Sequence, residues 1–219
     1  PSPHLPISPS PCLLVSPSPQ SYSFTIKKSM KIFLIAFGWA IALSIGTFFL
    51  FLTNLSHHLN PRDIMSEFTR YGATIGSIGG LTIGIVLMWT TKAIKQSHVA
   101  LLTLIWGASF LVGLTIGWQI YLVDASSEIF SRGMVIGMTI GGTLGGFFTA
   151  LILQHYQLLN TWKNISLVTI GWFLALFDGS SFIFGFNFLN IPVGFTFAII
   201  VSGMIIGTIG STIMFWRMR

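Results

Sequence analysis

The stretch MVIGMTIGGTLGG, Met134 to Gly146, decides how this chain folds. Glycine stands at 137, 141 and 145, with further glycines at 142 and 146, inside an otherwise apolar run. In a helix surrounded by water each of these would cost about 1 kcal/mol against alanine. In lipid the balance differs, because no hydrophobic force draws helices together and association depends on close van der Waals packing. Small residues at every fourth position line one helix face and let two backbones approach. The stretch therefore predicts a membrane helix with a glycine contact face.

Composition carries the same message. Of the 219 residues, 53% are hydrophobic and only 7% are charged, with a mean hydropathy of +0.81, whereas a soluble domain carries roughly 25% charged residues. Too few polar groups are present to coat a surface in water. The net charge of +6 does not point to nucleic acid, because the basic residues fall in short segments between long apolar runs, where they read as topology. The partner implied first is the lipid bilayer. Cys12 is the only cysteine and excludes an internal disulfide.

The first 26 residues hold seven of the nine prolines and no Asp, Glu, Lys or Arg. Residues 1–29 are expected to be a disordered Pro/Ser-rich tail or upstream sequence preceding a start at Met30, with a proline-rich ligand arm as the alternative. Residues 31–219 are expected to form one transmembrane domain. Six runs reach the roughly 20 apolar residues that a spanning helix needs: Ile32 to Leu55, Tyr71 to Thr91, Val99 to Val123, Gly133 to Tyr156, Ile165 to Phe186 and Val193 to Trp216. With a cytoplasmic amino terminus, that side receives Lys27, Lys28, Lys31, Lys92, Lys95, Lys163, Arg217 and Arg219, and the far side Arg62, Arg70 and Arg132. The bias predicts that both termini are cytoplasmic. Trp89, Tyr121, Tyr156 and Trp216 fall near span ends, as interfacial anchors do.

An internal repeat organises the spans. Trp39, Trp106 and Trp172 lie 67 and 66 residues apart, and each is followed seven positions later by a glycine, Gly46, Gly113 and Gly179. Small residues every fourth position recur in the even spans as Gly76, Gly80 and Gly84, as Gly137, Gly141 and Gly145, and as Gly203, Gly207 and Ser211. The segments entering the second and fourth spans also match, DIMSEFTR from Asp63 and DASSEIFSR from Asp124, and are read as far-side loops. The expected fold is all-α: a polytopic bundle of six transmembrane helices built from three repeated hairpins, about 31–91, 99–156 and 165–216. The nine small residues are its helix-packing positions, with the stripes of the three hairpins expected at equivalent places.

Chemistry is sparse. No HExxH, GxSxG, GxxxxGK[ST] or CxxC occurs, so no catalytic residue, metal site or cofactor is assigned. His57 and His58 are adjacent and lack the helical spacing that would aim both at one metal. Glu67 with Arg70, and Glu128 with Arg132, have the spacing of local helical ion pairs. The exception is Asp178 in FLALFDGSSF, a carboxylate inside the fifth span. It is a candidate ion or proton site; the alternatives are an acid satisfied by Ser180, Ser181 and helix carbonyls, or a helix break over Asp178 to Ser181.

GWAIALSIG from Gly38 and TIGGTLGG from Thr139 resemble glycine-zipper, multi-pass membrane proteins of unknown function that are common in cyanobacterial genomes. The resemblance implies no activity. Mitochondrial carriers also have three two-helix repeats, but their PxDxxR-type signature and longer repeat are absent here. The reading that follows is a non-enzymatic integral membrane protein of the plasma membrane or an internal membrane such as a thylakoid. It would serve as a structural subunit or bind another membrane protein or itself, with a small transporter or channel using Asp178 as the alternative.

Overall fold

The computed structural model describes residues 28–56, 61–123, 127–187 and 192–218, and they are helical apart from two short connections. Six helices follow one another: α1 (Lys28–Ser56), α2 (Pro61–Thr91), α3 (Gln96–Val123), α4 (Ser127–His155), α5 (Trp162–Asn187) and α6 (Pro192–Arg217). Each contains a segment long and apolar enough to cross a membrane. The chain is a multi-pass, all-helical membrane bundle. Residues 1–27, and with them most of the tail expected over 1–29, lie outside the described residues, as do His57 and His58, whereas Lys28 and Ser29 already belong to α1.

Two helices begin earlier than hydropathy suggests. DIMSEFTR lies within α2 and SEIFSR within α4, so neither is a loop. Hydropathy marks where a helix enters lipid, and these polar first turns carry the helix beyond the apolar span. Proline opens both α2 and α6, a position where its missing N–H forfeits no intrahelical bond and its fixed φ suits the helix. At the opposite end, Lys92 (φ 54°) and Gln157 (φ 57°) adopt the left-handed conformation that commonly terminates helices.

Helices adjacent in sequence pack against each other all the way round, and α6 closes on α1. The result is a six-membered ring. Its core centres on Trp39, Trp106 and Trp172, all fully buried, with Ile35, Leu102 and Val168 one turn to one side and Leu43, Phe110 and Leu176 one turn to the other. Large apolar side chains including Phe33, Phe37, Leu104, Phe173 and Phe197 stand on the outside, as a lipid-facing surface requires. Ser44, Thr82, Thr103 and Thr169 each donate to the carbonyl four residues back, at 2.8 to 2.9 Å, whereas the buried Ser202 hydroxyl finds no partner among the described residues.

Glycines set the distance between neighbouring helices. Gly76 and Gly80 lie against the backbone of α3 at Trp106 and Leu102, and Gly84 lies against Val99. Gly203 and Gly207 meet the α1 backbone at Ala40 and Ala36. A Cβ at any of these five positions would overlap or press on the neighbouring helix, so close approach replaces the contacts that larger side chains would make.

Candidate functional site

The most organised group of side chains is the tryptophan cluster at the centre of the ring. α1, α3 and α5 each contribute one indole, and the three meet pairwise: Trp106 lies edge-on to Trp172 with ring centroids 4.9 Å apart and edge-on to Trp39 at 5.2 Å, while Trp39 and Trp172 are 5.8 Å apart. Phe110 packs on Trp39 at 5.7 Å. Such aromatic pairs contribute about 0.5 to 1.5 kcal/mol each beyond the area they bury. This packing is possible because each indole rests on a glycine of the following helix, Trp39 on Gly79, Trp106 on Gly145 and Trp172 on Gly210.

These contacts give the three hairpins a different register from the one expected. Gly79, Gly145 and Gly210 are 66 and 65 residues apart, in step with the tryptophans. On that register Gly76 and Gly80 correspond to Gly142 and Gly146, and these to Gly207 and Ser211. Contacts agree: Gly142 and Gly146 lie against Leu176 and Trp172 of the following hairpin, as Gly76 and Gly80 lie against α3. Gly137, Gly141 and Gly145 instead face Gly113, Phe110 and Trp106, within their own hairpin. The stripe at Gly137, Gly141 and Gly145 thus differs in its contacts from those at Gly76 and Gly203, which face the next hairpin. With glycine at 141, 142, 145 and 146, α4 carries two stripes and packs closely on both sides. Ser211, fully buried, donates to the carbonyl of Gly207.

Hydrogen bonding breaks the likeness of the three tryptophans. The Trp106 indole N–H donates to Thr149 Oγ1 at 2.9 Å, and the Thr149 hydroxyl donates to the Gly145 carbonyl at 2.8 Å. The indole nitrogens of Trp39 and Trp172 are buried and find no acceptor. Thr149 stands one turn beyond Gly145, and the corresponding positions beyond Gly79 and Gly210 are Ile83 and Met214, both fully buried. Neither carries a hydroxyl.

Asp178 does not enter this core. It is exposed on α5, in a surface that includes Phe173 and Phe177, whose rings stack at 6.2 Å. The helix continues unbroken to Asn187, and the Ser180 hydroxyl donates to the Leu176 and Phe177 carbonyls, not to the carboxylate. Both alternatives for Asp178, a helix break and an acid satisfied by local hydroxyls, are thereby corrected. Counted at about 1.5 Å per residue from Trp162, it lies about 24 Å along the span, toward the far end.

The remaining polar contacts are at the two ends. Glu67 pairs with Arg70 at 3.3 Å, as the spacing predicts, and also accepts from the Tyr71 hydroxyl at 3.0 Å; this exposed pair contributes at most about 0.5 kcal/mol. The Glu128 side chain is outside the described residues. At the other end, Tyr156, just past the end of α4, bonds His98 Nε2 of α3, and His98 Nδ1 accepts from the Lys95 N–H at 3.1 Å. Tyr156 is thus engaged by the protein, while Trp162, which hydropathy places just outside a span, joins Trp89 and Trp216 among the exposed aromatics. Among the described residues no three His, Cys, Asp or Glu side chains gather as a metal site would need. Compared with protein families, curated proteins and solved structures, the chain matches none.

Proposed function

We propose that this integral membrane protein is a structural or partner-binding subunit, with no reaction or conduit of its own. The observation that carries the reading is the filled ring: its centre is occupied by Trp39, Trp106 and Trp172 and bordered by apolar layers. A solute path along that axis would have to break the tryptophan cluster. Asp178, the residue on which a transport reading depends, stands on the outer face among exposed aromatics. A carboxylate facing lipid is costly, and a helix of another membrane protein, or of a second copy, relieves that cost by covering it. The lysine and arginine distribution supports cytoplasmic termini.

The test is the assembly's mass in mild detergent, measured with Asp178→Leu beside the parent. The parent is expected to run as an assembly larger than the 24.1 kDa chain. Asp178→Leu should fall back to the single chain while melting at the same temperature, because an exposed side chain holds nothing inside the bundle. A single chain at every expression level would overturn the subunit reading. A cation or proton flux in vesicles that Asp178→Asn abolishes would replace it with transport.

A further inference from the structure

We propose that the lysine-bearing end of the ring binds anionic phospholipid headgroups, through three pairs of an exposed tryptophan and a neighbouring cation, at the end of α2, the start of α5 and the end of α6. The pairs are Trp89 with Lys92, Trp162 with Lys163, and Trp216 with Arg217; the three indoles are 61%, 65% and 66% exposed. An indole with an apolar body and one N–H donor settles at the boundary between acyl chains and headgroups. A cation one to three residues away then stands at phosphate level.

Charge at this end has no counterpart in the chain. Lys28, Lys31 and Lys95 join the three paired cations there, and the sequence has five carboxylates in all: Asp63, Glu67, Asp124, Glu128 and Asp178. The first four belong by chain position to the opposite end, and Asp178 lies toward it. Arg217 shows the consequence most clearly. Its guanidinium lies 4.2 Å above the exposed Trp216 ring. Stacking on an aromatic face leaves the guanidinium edge to donate, and a phosphate with several acceptor oxygens fits that fork.

A phospholipid suits this surface better than a soluble anion or an acidic protein. Trp216, Trp162 and Trp89 expose large apolar rings beside these cations, and on α1 the exposed rings of Phe33 and Phe37 stack 6.2 Å apart within two to three turns of Lys28. The ligand must therefore be anionic at one end and apolar along its length. Each cation near a charged membrane surface favours an anionic lipid by roughly fivefold.

The test uses the full chain in mixed micelles, with phosphatidylglycerol and phosphatidylcholine of the same acyl chains as probes and retained lipid counted by native mass spectrometry. The parent should retain phosphatidylglycerol over phosphatidylcholine by at least about tenfold, up to the roughly hundredfold that three independent cations would give. The combined variant Lys92→Gln, Lys163→Gln and Arg217→Gln should lose most of that preference. If that variant does not fold, Lys163→Gln alone and the parent in high salt should each show a reduced preference. Equal retention of the two lipids by the parent, an unchanged preference in the variant or in high salt, or competition by glycerol phosphate as strong as that of the lipid would overturn the proposal.

Discussion

Trp106 and Thr149 form the one indole hydrogen bond within the tryptophan cluster, at 2.9 Å between α3 and α4. Three similar indoles meet at the centre, and the side chain one turn beyond the supporting glycine determines which of them is satisfied. Thr149→Val keeps the shape of that side chain and removes the acceptor. The variant should lose about 1 kcal/mol of stability in detergent, whereas Thr149→Ser should melt with the parent. Equal melting of the valine and serine variants would show that the bond contributes nothing.

The converse change tests the register of the hairpins. Met214 occupies in the third hairpin the place of Thr149 in the second, one turn beyond the Gly210 that supports Trp172, whose N–H has no acceptor. Met214→Val and Met214→Thr remove similar volume, and in an ordinary core threonine is the worse by about 1 to 3 kcal/mol, because it buries an extra hydroxyl. Here the hydroxyl has a donor waiting, so Met214→Thr should be at least as stable as Met214→Val. A threonine variant clearly less stable than the valine variant would mean that Met214 does not face the Trp172 N–H.

Glycines along the interfaces should respond unequally to alanine. A Cβ on Gly113 would collide with the backbone of α4 at Gly137 and Gly141, while one on Gly72 would meet only the tip of Leu114. Gly113→Ala should cost at least about 2 kcal/mol, the range for overpacking a site that cannot move, and Gly72→Ala less than about 1 kcal/mol. Thermal melting of the two variants side by side measures the difference, and equal losses would contradict it.

Orientation is open to direct measurement. Reporters fused after Lys95 and Lys163 should read cytoplasmic, and reporters within residues 57–60 and 124–126 should read external, given eight lysines and arginines against three. Opposite readings at two of these positions would invert the topology.

Much of this architecture is legible in the sequence, because lipid imposes long apolar runs that stand out against the short basic segments. All six spans can be placed from hydropathy. The polar first turns of α2 and α4 cannot, since residues such as those of DIMSEFTR read equally as loop or as helix outside the bilayer. Doubled glycines hide the register: with glycine at 141, 142, 145 and 146, two stripes have equal standing, and only the contact of Gly142 with Leu176 and of Gly146 with Trp172 identifies the one that reaches the next hairpin. Nor does any local pattern show that Trp39, Trp106 and Trp172 meet, because their contact depends on ring closure between α6 and α1. Asp178 stands in an α5 that is apolar nearly all round, so periodicity could not assign it to the outer face.

Closure of α6 onto α1 also makes the order of the helices along the chain interchangeable. Lys28 and Arg217 lie at the same end of two helices packed side by side, so a short linker can join them. The chain can then be opened instead at the connection around Ala93, giving the order α3, α4, α5, α6, α1, α2 with every helix keeping both neighbours. Such a circular permutant should insert and fold into the same ring, because no pair of packed helices depends on where the polypeptide is cut.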